Sequence, residues 1–275
     1  MLTDLKSILA MAEKGGYAIP AFNVYNMETV MGVIAAAEAE HSPVILQSYS
    51  RLFTNEEGYY VAPIVLAAAK AAAVPVCFHL DHGAGEREVE RALRYGATGI
   101  MIDASTLPLD ENIAATRAVA ERCAYVGVGV EGELGHIGST KDEKLSEYTD
   151  PAEAARYARE TGVSALAIMV GTAHGRYKKA PKLDIERIRT IKAETGLPLV
   201  LHGGSGVPDE EITAAVAAGI RKINFGTDLC YSFLDAVFAT GRDKIAIDLF
   251  MKDAIASVRD FAVSKIRLLG AAGRV

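Results

Sequence analysis

Cysteine is scarce. The 275-residue chain has three, and no two of them are spaced as CxxC. An odd count without that spacing argues against a disulfide framework. Cys77 and Cys123 lie in apolar or helical patterns and read as buried free thiols, which suits a reducing, cytoplasmic setting. Basic runs are also missing: none is longer than Lys178-Lys179, and the net charge is −6. That excludes an extended nucleic-acid surface. No stretch reaches the roughly 20 apolar residues of a membrane span. The N-terminal MLTDLKSILAMAEKGG is amphipathic, carries acids and lacks a long apolar core, so it reads as a helix and not as a signal peptide. No Pro/Gly cluster marks a linker, and no Gly-rich dinucleotide fingerprint follows the first strand candidate.

What is present is alternation. Half of the residues are hydrophobic, enough for a large core. Eight short apolar runs read as strands: 18–22, 43–46, 74–80, 99–102, 126–130, 165–170, 198–201 and 222–225. Between them lie helical patterns at 27–40, 56–73, 86–95, 110–123, 151–161, 184–195 and 208–218. Thr149-Asp150-Pro151 and Val207-Pro208-Asp209 carry helix-start signals. Eight strand-helix units over this length predict a (β/α)8 barrel formed by one domain, residues 1–275.

In such a barrel functional residues gather at the C-terminal ends of the strands. All eight predicted ends turn polar: Asn23; Gln47-Ser48; Asp81-His82; Asp103; Glu131 and Glu133; Thr172 and His174; His202 and Ser205; Asn224 and Thr227. The motif HLDHG (79–83) is the sharpest of them, because His79, Asp81 and His82 are costly to bury without partners. His82, His174 and His202 end strands three, six and seven. Three histidines meeting at one mouth predict a zinc site with an open position for substrate. His41, His79 and His136 are placed at the bottom rim, inside strand three and on a loop.

Two Gly-rich stretches, HGGSG (202–206) and NFGTD (224–228), follow strands seven and eight, where barrels cradle phosphate. Glycines admit backbone N–H groups to phosphate oxygens, and Ser205 and Thr227 add hydroxyls. A metal beside a phosphate cradle suggests a phosphorylated carbonyl substrate, with the metal polarising the ketone oxygen while a neighbouring C–C bond breaks. Asp81, next to His82, is the candidate to exchange a proton with the departing aldehyde oxygen.

These motifs, together with GYAIPAFNVYNMET, SPVIL, MIDAS, EGELG, YTDPAEA, GTAHG, PLVLHGGSGVPDE, INFGTDL and GAAGR, resemble the class II, zinc-dependent fructose-bisphosphate and tagatose-bisphosphate aldolases over essentially the whole chain. The resemblance implies a catalytic zinc on His82, His174 and His202, with Asp81 as proton donor or acceptor. It implies a second divalent position at Asp103 and Glu133. Gly175, Gly203, Gly204, Ser205, Asn224, Phe225, Gly226 and Thr227 match positions that hold dihydroxyacetone phosphate, with a monovalent cation nearby. Assembly as a homodimer or homotetramer is a further family expectation.

The chain departs from the family pattern twice. Lys141 stands where the family's loop carries a glutamate, with Asp142 and Glu143 following. After strand two the chain reads Gln47-Ser48-Tyr49-Ser50-Arg51, with Tyr49 where fructose-bisphosphate enzymes of this branch often carry a serine. Both changes touch the aldehyde half of the reaction. The reading is therefore reversible cleavage of a ketose phosphate or bisphosphate, fructose 1,6-bisphosphate or a relative, to dihydroxyacetone phosphate and an aldehyde. A Schiff-base aldolase would want a lysine near a strand's C-terminal end, and Lys222 is placed at the start of strand eight. A barrel metallohydrolase would leave the two Gly loops unexplained. A non-catalytic sugar-phosphate-binding barrel, or a subunit partnering an aldolase, is the alternative. Glu131 reads as a supporting acid and not as a ligand.

Overall fold

The computed structural model describes residues 1–140 and 147–275. Eight parallel strands close into a barrel: β1 (Ile19–Asn23), β2 (Val44–Tyr49), β3 (Val76–Gly83), β4 (Gly99–Ile102), β5 (Gly129–Leu134), β6 (Ala165–Ile168), β7 (Leu199–Leu201) and β8 (Ile220–Phe225). Each pairs with its sequence neighbours, and β8 pairs with β1 to close the ring. Strands buried on both faces need apolar residues at consecutive positions, not alternating ones. β4, β6 and β7 (GIMI, ALAI and LVL) are of that kind.

The predicted helices form close to their expected bounds, including Met27–Ala39, Glu57–Ala71, Leu109–Ala124, Pro151–Thr161 and Ile185–Thr195. Asp150 caps its helix as its spacing predicts, accepting from the N–H groups of Ala152 and Glu153 at 2.9 and 3.0 Å. At Val207-Pro208-Asp209 the proline is itself the cap position, and no side chain caps that helix. Helices Thr227–Ala239 and Lys252–Leu268 were not in the sequence reading. The second packs Phe261 against Phe22 of β1 and Phe225 of β8, with ring centroids 6.2 and 6.3 Å apart.

The barrel has one closed end. Helix Leu5–Gly15, started by Asp4, buries Leu5, Ile8, Leu9 and Ala12. It lies across the strand starts, where the Leu5 N–H bonds the Thr98 carbonyl at 3.0 Å, and a Cβ at Gly99 would meet His79 and Leu5 and one at Gly129 would meet Lys6. A two-residue strand, Leu2–Thr3, pairs with the first residues of β3. The C-terminal mouth is left for chemistry.

Two strand bounds differ from the sequence reading in a way that matters. The fifth apolar run, 126–130, overlaps its strand only at Gly129 and Val130. Val126 is exposed and Gly127 turns the chain at φ +72°, so β5 starts at Gly129 and runs on through Glu131 and Glu133. Lys222 does not begin β8. It is its third residue, and its side chain is fully buried inside the barrel. Glu131 and this lysine stand within the barrel as a pair, 2.8 Å apart, whereas Glu133 accepts from the Ile137 N–H at 3.0 Å.

Candidate active site

A cavity of about 720 Å³ opens at the C-terminal mouth. Asp81, His82, Asp103, His174, Gly175, Gly203, Ser205, Asn224, Gly226 and Thr227 line it. The structure thus brings most of the sequence-selected residues to one place.

Asp81 and His82 are consecutive, and in a regular strand they would face opposite sides. A β-bulge resolves this. Leu80 pairs with Ile100 and Gly83 with Ile102, so β3 carries one residue more than β4 between these pairs. His82 takes up the difference in the left-handed region, at φ +49°. Both side chains then reach the cavity. Gly83 completes the bulge, because a Cβ there would lie 2.4 Å from the Met101 carbonyl oxygen of β4.

The three histidine rings converge. The centroid of His82 is 4.8 Å from that of His174 and 4.7 Å from that of His202. Their potential ligand nitrogens lie within 4.8 Å of one another. Acids hold two of the rings from behind. His82 Nδ1 is 2.8 Å from Asp103 Oδ2, and His202 Nε2 is 2.8 Å from Glu131 Oε1. The opposite nitrogens, His82 Nε2 and His202 Nδ1, face each other at 3.0 Å. A carboxylate behind each imidazole fixes its tautomer and raises its basicity toward a metal. His174 is set by backbone: its N–H bonds the Gly138 carbonyl, and its carbonyl accepts from Thr140 N–H, both at 2.8 Å.

Charges in this pocket are unbalanced. Burial pushes the Glu133 carboxyl up to about 8, helped by Asp103, and its buried Oε2 finds no hydrogen-bond partner. Burial alone would lower His82, yet the carboxylates of Asp81, Asp103 and Glu133 outweigh it and raise the imidazole to about 9. His174 is pushed down to about 4 and His202 well below its usual value, in each case by burial and then by the charge of His82. Three imidazoles among crowded acids, one with an orphaned oxygen, are a donor set that suits a divalent cation. His82, Asp103 and Glu133 form a second group at ligand spacing.

Asp81 is held by two amides. Asn23 Nδ2 donates to its Oδ2 at 2.7 Å and Asn224 Nδ2 to its Oδ1 at 3.2 Å, while Gln47 Nε2 donates to Asn23 Oδ1 at 2.9 Å. The roles of Asn23 and Gln47 were not assigned from sequence, although their place at strand ends was the available signal. Asn224 was expected at the phosphate and is tied to Asp81.

The predicted cradle divides. Gly203, Ser205, Gly226 and Thr227 face the cavity. Thr227 opens the 13-residue helix Thr227–Ala239, whose first N–H groups point toward the mouth. Ser205 Oγ accepts from Asp228 N–H at 3.1 Å, which joins the loop after β7 to that helix. Tyr177 joins the loops after β6 and β7, donating to carbonyls of Ala173 and Gly203 at 2.8 and 3.0 Å. Gly204 and Phe225 do not line the cavity. Gly204 is packed against Ile223 and Asn224, and the Phe225 ring stacks in the core on Phe22 at 5.9 Å. They offer a ligand only main chain.

Behind the metal-ligand candidates lies a charged cluster. Glu131 reaches His202 on one side, and on the other its Oε2 is 2.8 Å from Lys222 Nζ and 3.5 Å from His79 Nε2. Lys222 does not line the cavity, so it has no route to a substrate carbonyl. His136 sits on a loop beside Ser105 and lines the cavity, whereas His41 lies at the surface. Lys141, Asp142 and Glu143 lie outside the described residues.

Comparison with known proteins agrees with this geometry. The family model for fructose-bisphosphate aldolase class-II matches residues 3–274. The YdjI aldolase from Escherichia coli K12 is 34% identical, with a TM-score of 0.91 over 100% of this chain and 99% of that one. A putative fructose-1,6-bisphosphate aldolase from Coccidioides immitis is 26% identical, with a TM-score of 0.91 over 98% of this chain and 97% of that one. Fructose-bisphosphate aldolase from Campylobacter jejuni, 24% identical with a TM-score of 0.83 over 100% and 97%, shares the fold. With a barrel, a histidine triad and an acid at one mouth, and a family match over nearly all its length, the chain belongs to the class II fructose-bisphosphate aldolases and is a carbon–carbon lyase.

Proposed function

We propose that the protein catalyses the reversible, zinc-dependent aldol cleavage of a ketose phosphate or bisphosphate, fructose 1,6-bisphosphate or a related sugar, to dihydroxyacetone phosphate and an aldehyde. The observation that carries this reading is the convergence of His82, His174 and His202 at ligand spacing, with Asp81, His82 and His174 lining the cavity and His202 buried directly behind them. The three histidines hold the zinc. When bound, it supplies the positive charge that polarises the ketone oxygen. Asp81 takes the proton from the hydroxyl on the far carbon of the breaking bond. That C–O becomes the aldehyde carbonyl while the C–C electron pair stays with the ketone fragment as its enediolate, which takes up a proton to give dihydroxyacetone phosphate. Condensation runs the same steps in reverse. The Asn23 and Asn224 amides keep its carboxylate aimed at that hydroxyl. The backbone of the Gly203–Ser205 and Gly226–Thr227 turns and Gly175 bind the 1-phosphate. A second divalent ion at Asp103 and Glu133 and a monovalent cation beside the phosphate complete the site. The whole chain acts as one aldolase domain, in a homodimer or homotetramer.

A coupled assay for dihydroxyacetone phosphate tests this on fructose 1,6-bisphosphate, tagatose 1,6-bisphosphate and fructose 1-phosphate, with chelator and with zinc restored. Release that a chelator abolishes and zinc restores is the expected result. No release from any ketose phosphate by zinc-loaded protein moves the chain to the non-catalytic reading.

A further inference from the structure

The cavity wall beyond Asp81 carries a cation that the proposed function leaves unused. Among the described residues, Arg51 is the one lysine or arginine that lines the cavity. It follows β2 in the short helix Ser50–Thr54. Its guanidinium carbon lies 5.3 Å from the ring centroid of Tyr25 and 5.3 Å from that of Tyr49. Both tyrosines also line the cavity. Among the described residues no acid pairs with Arg51.

The two tyrosines are attached to the catalytic wall. Tyr49 is the register partner of Asp81 across β2 and β3, and its ring centroid is 5.8 Å from that of His82. Arg51 is thus placed by a ring that itself abuts the metal-ligand candidate and the proton-transfer acid. Around the rim, the phosphate cradle follows β7 and β8, whereas Arg51 follows β2, and β1 stands between. The cavity therefore has two anion-directed features with Asp81 and the histidines reached from both. A substrate with its 1-phosphate in the cradle extends its other half, past the bond that Asp81 addresses, toward Arg51.

Geometry also decides what Arg51 would take. Cation–π contact with two rings holds a guanidinium and spares its in-plane N–H fork. A fork with no carboxylate partner among the described residues matches a bidentate oxyanion. We propose that Arg51, laid over Tyr25 and Tyr49, is the subsite for an anionic terminus, phosphate or carboxylate, on the aldehyde half of the substrate. This rests on the proposed aldol cleavage and narrows it to doubly anionic ketose phosphates.

The test compares kcat/KM for three ketose 1-phosphates of matched stereochemistry, ending in phosphate, in carboxylate or in a neutral hydroxyl. Wild-type protein is set against Arg51→Met and Arg51→Lys, each checked for unchanged melting temperature and zinc content. Wild-type protein is expected to prefer an anionic terminus, and which one it prefers separates the two anions. Arg51→Met should cut that preference by about 10–100-fold, the worth of a charge-assisted bidentate contact. Arg51→Lys should restore part of it. A wild-type preference for the neutral terminus, or an anion preference unchanged in Arg51→Met, overturns the subsite and leaves the aldolase reading standing. Cleavage of none of the three overturns both.

Discussion

Asp81 shows how much of a residue's role lies in what holds it. Its carboxylate accepts from two buried amides, one on each oxygen, and those contacts fix its orientation. Asp81→Ala should therefore keep zinc bound and lose cleavage by on the order of 10²-fold or more, read as kcat with zinc content measured alongside. Near-wild-type kcat would remove Asp81 from proton transfer. The histidines make a second prediction. In metal-free protein His82 stays protonated to about pH 9, while His174, at about 4, is neutral. Zinc must displace the His82 proton. Its affinity should rise about tenfold per pH unit between about pH 6.5 and 8.5, with about one proton released, read by calorimetry in two buffers. The stability sign runs the other way. A folded pKa raised above 6.5 stabilises the metal-free fold below that pH, and this contribution is lost as pH rises through 9. Zinc uptake without proton release would show that His82 is neutral before the metal arrives.

The β3 bulge is the element on which the site turns. Strand spacing alone would set Asp81 and His82 on opposite faces, and one extra residue brings them together. Gly83 is held at that point by the Met101 carbonyl. Gly83→Ala should destabilise the protein by about 1–3 kcal/mol through overpacking, and should weaken zinc binding as well because His82 moves with it. Unfolding midpoints and zinc titration read the two effects. Stability lost with zinc affinity unchanged would uncouple the bulge from the metal. HLDHG announced polar residues at a strand end, but nothing in its letters specified a bulge. The register shift exists only against β4. The same limit misplaced β5. The apolar run includes Gly127, which turns the chain ahead of the strand, while the strand itself carries two buried acids, Glu131 held by Lys222 and His202 and Glu133 by the Ile137 N–H.

At the scale of the molecule, the open mouth and the helices after β8 leave apolar surface. Phe238, Ile245 and Ile247 are 81, 90 and 72% exposed. Phe238 shares helix Thr227–Ala239 with Tyr231 and Leu234, which line the cavity. Large apolar side chains this exposed, within ten residues of one another in the chain, are where self-association would be tested first. Light scattering should show wild-type protein as a homodimer or homotetramer, and Phe238→Asp with Ile247→Asp should shift it toward monomer. A wild-type monomer would refute self-association, and an unchanged mass in the variant would place the interface elsewhere. No described helix is long and apolar enough to cross a membrane.

The sequence by itself determined the barrel, because eight apolar runs separated by capped helical patterns have few other ways to bury both faces of a parallel sheet. It also determined which residues reach the mouth, since strand direction puts every strand's C-terminal end on one side. Tertiary structure alone decided which of those residues touch. That Asp103 stands behind His82, that Asn224 grips Asp81, that Phe225 turns into the core and that Arg51 rests over two tyrosines are facts of register and ring closure. Arg51 and Tyr49 aside, these contacts join residues from 21 positions apart (His82 and Asp103) to 143 (Asp81 and Asn224) and beyond, and no local spacing encodes them.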